Sequence, residues 1–167
     1  MNFSSDELKE ILSEALSSNS GYSPEELEKM VFDPNEYCDI PGVGEMAGIE
    51  NIGFFDGCGD SVSFYLESKD GLMRLMIIIG DRCRSVARAR AAIEEYSKSA
   101  ISRLFYVVNE VTNSVDALTL ECRFYVSEKN NALPLVKQLL YMLKSREFLN
   151  DAEPVLEVFE GFPGKAV

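Results

Sequence analysis

Asp70-Gly71 lies between two runs of β-forming residues, and this dipeptide constrains the chain more than any other feature. A two-residue type I′ turn needs positive φ at both central positions, which Asp-Gly tolerates, and its twist matches that of the strands it joins. Ser61–Lys69 alternates apolar and polar, with Val62, Phe64 and Leu66 on one face, and Leu72–Ile79 is its partner. The turn sets Leu66 opposite Leu75, Phe64 opposite Ile77 and Val62 opposite Ile79. On the other face Glu67 falls opposite Arg74, a pair of complementary charge. Arg74 is therefore read as a cross-strand partner rather than as a catalytic or ligand residue.

Helices flank this hairpin. Ser4 and Glu7 have capping-box spacing, and Leu8, Ile11, Leu12, Ala15 and Leu16 form one stripe that ends in the tract Ser17–Gly21. Ser23, Pro24 and Glu26 signal a second start, with Leu27, Met30 and Val31 as its buried side. Residues 33–48 read as a loop broken by Pro34, Pro41, Gly42, Gly44 and Gly48, followed by a short strand over Ile49–Phe55 and a Gly-rich turn over Asp56–Asp60. A helix runs from Asp81 to about Lys98, with Val86, Ala89, Ile93 and Tyr96 inward, Arg84 and Arg88 opposite, and Arg90 placed to pair with Glu94.

A second hairpin joins Ile101–Val111 to Ala117–Ser127 through a turn over Thr112–Asp116. Leu118, Leu120, Cys122, Phe124 and Val126 alternate there with Thr119, Glu121, Arg123 and Tyr125. Its turn has no Gly signal, so its register stays open. The last clear helix starts near Asn130 or Asn131, carries Pro134 in its first turn and buries Val136, Leu139, Leu140 and Leu143. A short apolar tail, Val155–Phe159, precedes a frayed end.

Hairpins joined by helices give an α+β fold: an antiparallel sheet of about five strands with helices packed on one face, in the order α-α-β(β)β-α-β-β-α. The expected organisation is an acidic helical N-terminal region over residues 1–48, an α+β domain over 49–160 and a tail over 161–167. At 167 residues, 46% of them hydrophobic, the chain has the material for one sizeable core.

The net charge of −12 lies wholly in the first third, where residues 1–60 hold fourteen acids against Lys9 and Lys29. An acidic chain repels phosphate backbones, so nucleic acid and anionic membrane are not expected partners. The acidic third is either a solvated face or an arm that docks on a basic surface. No segment reads as a signal peptide or a membrane span, which makes a cytoplasmic protein the expectation.

The chain contains no histidine. That removes Ser-His-Asp and Cys-His catalysis and histidine metal sites, while carboxylate, lysine and tyrosine chemistry stay open. Cys38, Cys58, Cys83 and Cys122 fit no zinc spacing and read as free buried thiols, with one or two disulfides among them as the open alternative. Gly42-Val43-Gly44 and Gly57-Cys58-Gly59 match neither the dinucleotide fingerprint nor a P-loop, and read as turns. Asp33, Glu36 and Asp39, or Asp56 and Asp60, lack EF-hand spacing and read as solvated. No cofactor, metal or catalytic residue is assigned, and the expectation is a non-enzyme.

Two surfaces stand as candidates for a partner or ligand. Arg82, Arg84, Arg88 and Arg90 form the one basic concentration; they either hold an acidic or phosphate ligand or are neutralised within the chain, for instance by residues 1–48. Leu135, Leu139 and Met142, with Val136, Leu140 and Leu143, make the last helix wider in apolar residues than one seam needs. This stripe is either core alone or also a dimer or partner surface.

The element order, carried by Val62–Leu66, Leu72–Ile79, Val86–Ile93, Leu104–Val108, Leu118–Val126 and Val136–Leu143, resembles the type III secretion chaperone-like fold shared by YbjN-type sensory-transduction regulators. Roadblock and longin-like folds have a similar order. The resemblance implies a protein-binding module, often a homodimer, without catalytic residues. An acidic immunity or inhibitor protein, and a small-molecule or phosphate-binding domain built on the Arg82–Arg90 helix, are the alternatives.

Overall fold

The computed structural model describes residues 2–37, 44–54, 62–79, 86–97, 103–109 and 114–145. Its helices are α1 (Ser5–Asn19), α2 (Pro24–Met30), α3 (Val86–Ser97) and α4 (Ala132–Leu143). Its strands are β1 (Glu45–Ile52), β2 (Val62–Lys69), β3 (Leu72–Ile79), β4 (Arg103–Asn109) and β5 (Ser114–Tyr125). The strands form one sheet in the order β1-β2-β3-β5-β4, which gives the α+β class expected from the hairpins.

Local chemistry explains the helix starts. Ser4 Oγ accepts from Glu7 N–H at 3.1 Å while Glu7 Oε1 accepts from Ser4 N–H at 3.0 Å, closing the capping box. Ser23 and Glu26 repeat the device at 3.2 and 3.4 Å, with Pro24 at the first position of α2. All five stripe residues of α1 are buried, as is Leu27. Met30, expected inside, is instead 39% exposed: it is the last residue of the seven-residue α2, one turn beyond Leu27, where the helix ends.

The β2–β3 turn is as the dipeptide requires. Asp70 has φ 52° and Gly71 φ 85°. Val62, Phe64, Leu66, Leu75 and Ile77 are fully buried, as is Met73. On the opposite face Arg74 Nε approaches Glu67 Oε1 at 3.1 Å, and its Nη2 donates to Oε2 at 3.2 Å.

Three expectations are corrected. First, β1 begins at Glu45, inside the segment read as loop, and Gly48 lies within it. Gly48 exchanges both backbone hydrogen bonds with Phe32, at 2.8 and 2.9 Å, so an isolated bridge covers this part of the strand. A Cβ on Gly48 would stand 2.8 Å from the Tyr65 ring and 3.3 Å from Pro34. The glycine thus marks a close approach, not a break.

Second, β5 starts at Ser114, within the stretch read as turn. Val107 pairs with Ala117 and Val108 with Val115, so Asp116 is the extra residue of a β-bulge. Third, Thr119 and Glu121 are 4% and 5% exposed, although alternation assigned them to an open face. β5 lies between β3 and β4 in the sheet, and over residues 119–122 it is covered on both sides.

The chain divides into two compact units. The first includes α1, α2, β1 up to Glu50, Phe64–Met76 and Cys122–Met142. Within it Lys129 Nζ reaches Glu7 Oε1 at 2.9 Å and lies 5.5 Å from the Phe3 ring centroid, and Asn19 Nδ2 donates to the Lys137 carbonyl at 3.3 Å. These contacts tie α1 to the 3-10 turn that precedes α4 and to the middle of α4. The second unit includes α3, β4 and β5 up to Glu121. Here α3 packs on β4 and buries Ala92 and Ile93, and Asn51, at φ 56°, donates its N–H to Ser63 Oγ at 3.2 Å.

Several expectations lie outside the described residues. They are the helix start over residues 81–85, Cys38, Cys58, Cys83, Pro41, Gly42, Asp39, the Asp56–Asp60 turn and the tail beyond Ser145. The side chains of Ile79, Val86, Ala89, Tyr96, Leu118 and all of β4 are likewise outside. Cys122 is a buried free thiol on the core side of β5, as expected.

Candidate functional site

Helix α4 sorts the wide apolar stripe into two rows. Ala132, Val136 and Leu140 are fully buried and Leu143 is 1% exposed; this is the core row. Leu135, Leu139 and Met142 follow one another at i, i+4 and i+7 beside it. Leu135 is 40% exposed, and Leu139 and Met142 are half-buried. Leu139, expected among the buried residues, therefore belongs to the outer row. At 100° per residue the two rows together cover roughly half the circumference of the helix. A surface helix of a globular domain needs an apolar arc of only about 100°.

The polar remainder of α4 is slight. Lys137 is its only charged residue, and the backbone carbonyl of Lys137 accepts the Asn19 amide that ties α1 to it. Gln138 and Tyr141 face solvent, Tyr141 at 66% exposure. The outer row is thus held on a helix whose other face is anchored, and it borders water without a ring of charges on the helix itself.

The basic candidate is only partly placed. Arg82 and Arg84 lie outside the described residues. Arg88 and Arg90 are exposed on α3, and Arg90 stands one turn before the exposed Glu94. The structure brings neither arginine into a described cavity.

Other carboxylates have structural roles. Asp33 Oδ1 accepts from Asn35 N–H at 2.9 Å as the cap of a short 3-10 turn. Lys9 bridges Glu36 at 3.5 Å and Asp6 at 3.8 Å. The Ser4 backbone N–H, then the Lys129 ammonium, hold the Glu7 carboxyl below its ordinary pKa. Tyr65 donates its hydroxyl to Glu50 Oε1. Burial, followed by that bond and the Glu50 charge, pushes the Tyr65 phenol well above the usual tyrosine range.

The sequence reading missed the Tyr65–Gly48–Phe32 contact and the cleft around Arg74 and Arg123. A glycine inside an apolar run was the only signal of the first. The second joins three strands, and no spacing within one strand carries it.

Among the described residues no helix is long and apolar enough to cross a membrane. No protein-family model matches the chain, and no curated protein matches it. Among solved structures it is similar to the crystal structure of YbjN from E. coli. That likeness covers 59% of this chain and 75% of the other, at 10% identity and a TM-score of 0.37. It is a weak likeness of fold, and a likeness at that level says nothing about function.

Proposed function

We propose that this chain is a non-enzymatic protein-binding module, of regulator or chaperone type, that engages another protein through the outer row of α4. The observation that supports this reading is the Leu135–Leu139–Met142 row. Three large apolar side chains beside a complete core row keep contact with water on an otherwise anchored helix. Exposed apolar rows of this kind bind by burying the surface they leave wet, so the interaction is only weakly salt-dependent. The lack of histidine fits a role without general acid–base chemistry at neutral pH.

The test places a photo-crosslinking residue at position 135 of the full chain and, as a control, at position 29 on the far side of α2. Both are irradiated in native lysate at low and at high salt. The expected result is a discrete protein adduct at position 135 that persists at high salt and disappears in the Leu139→Lys background. Adducts at both positions alike, or at neither, would sink the reading. An adduct of twice the chain mass would replace the foreign partner with a second copy, which light scattering of the purified protein would show directly.

A further inference from the structure

We propose that residues 32–36 form a guard strap on the edge of the sheet, and that release of the strap lets a second copy of this chain pair with β1. β1 ends the sheet, so one of its sides faces β2 and the other lies open to an incoming strand unless something covers it. Its middle, residues 46–49, is apolar and buried. An uncovered strand of that composition is a template for pairing.

The strap closes this edge with its backbone. Phe32 and Gly48 exchange both hydrogen bonds as an antiparallel pair. The next such pair along the ladder would set Pro34 opposite Met46. Pro34 has no N–H to give, and its carbonyl already accepts from Tyr37 N–H at 3.2 Å, so the ladder stops after one pair. Asn35 Nδ2 instead donates to the Gly44 carbonyl at 3.4 Å, and Glu36 meets Lys9 of α1 at 3.5 Å. The strap and its anchors all belong to the first compact unit.

The strap does not become a new edge in its turn. The N–H groups of Val31, Phe32, Asn35, Glu36 and Tyr37 are taken inside the chain, and proline at 34 has none. Yet one backbone pair, one side-chain amide and one exposed ion pair are a modest hold, small enough to yield. A second copy is the occupant that the sequence of β1 fits. In an antiparallel register centred on Gly48, Glu45 faces Asn51 and Glu50 faces Met46, so no two acids meet across the pair. Each copy has one β1, so a two-fold pairing closes at a dimer. The strap shares no residue with the outer row of α4, and the two proposals stand or fall separately.

The experiment reads the mass of the full chain by light scattering over a range of concentration, together with deuterium exchange of the Gly48 amide. Phe32→Pro removes the N–H that bonds Gly48, and Val31 before it already has the extended ψ of 132° that a residue preceding proline requires. The parent is expected to protect the Gly48 amide. Phe32→Pro is expected to approach twice the parent's mass as concentration rises, with circular dichroism unchanged and also in the Leu139→Lys background. Where Phe32→Pro does not fold, Asn35→Ala joined with Lys9→Gln releases the anchors alone. That pair is expected to speed Gly48 exchange about ten-fold and to raise the mass part of the way. Lys29→Gln on α2 is expected to match the parent. Free exchange of Gly48 in the parent, or unchanged exchange in the anchor variant, would overturn the strap. Parent mass at every concentration in a folded Phe32→Pro or a fast-exchanging anchor variant would overturn the second copy as occupant. So would a doubling that vanishes with Leu139→Lys, since the contact would then lie on α4.

Discussion

Glu67 and Arg74 face each other across the β2–β3 hairpin, with the Glu67 side chain 11% exposed and that of Arg74 27% exposed. Removing one partner strands the other in a poorly hydrated place, which costs far more than the pair contributes as a pair. Arg74→Met is expected to destabilise the chain by about 1–3 kcal/mol, discounted from the fully buried case because the guanidinium keeps some solvent. Joining it with Glu67→Leu is expected to recover most of that loss. Urea unfolding of the two single variants and the double variant measures the coupling; a purely additive double variant would refute it.

Gly48 is expected to resist substitution although it lies mid-strand, where alanine is ordinarily the better residue. Its Cβ would meet the Tyr65 ring at 2.8 and 2.9 Å, and that ring is held by its hydroxyl on Glu50. Gly48→Ala is expected to destabilise by about 1–3 kcal/mol through overpacking. Gly21, with nothing within 4 Å of a Cβ, is the control, and Gly21→Ala is expected to change stability by less than about 0.5 kcal/mol. Equal melting temperatures for the two variants would contradict the packing.

Tyr65 makes stability depend on alkaline pH. Its folded pKa is raised, by burial first and by Glu50 second, so the folded state favours the protonated phenol. The stability this contributes is complete below the ordinary tyrosine pKa of about 10 and is lost as pH rises through and beyond it. Tyr65→Phe is expected to flatten that decline. The ultraviolet difference titration between the parent and this variant is expected to place the Tyr65 step above the usual tyrosine range. A step within the usual range would show that Tyr65 is neither held away from water nor bonded to Glu50 in solution.

The two rows of α4 separate stability from binding. Leu140 is fully buried, and Leu140→Ala is expected to cost about 2–5 kcal/mol. Leu139→Lys, in the outer row, is expected to cost under about 1 kcal/mol, because the lysine stem lies along the surface and carries its charge into water. Denaturant midpoints of both variants check this. A Leu139→Lys loss as large as that of Leu140→Ala would return the outer row to the core and remove the surface on which the proposed function rests.

Sequence by itself determined the features whose physics is complete within a few residues. The two capping boxes, the positive-φ turn at Asp70-Gly71, the Glu67–Arg74 pair and the buried stripe of α1 each follow from short-range hydrogen bonding, backbone sterics or side-chain period. The α+β class followed because two hairpins joined by helices leave few ways to bury their apolar faces.

Tertiary structure decided everything that depends on what arrives from elsewhere in the chain. Gly48 became part of a strand because Phe32 supplied its hydrogen bonds and Tyr65 covered it. The bulge at Asp116 set a register that the second turn left open. Thr119 and Glu121 lost their open face because β5 is covered on both faces over residues 119–122. Leu139 and Leu140 are adjacent leucines, identical to any hydropathy scale; one is core and the other is half-buried because a helix has one anchored side, and only the packed chain determines which side that is.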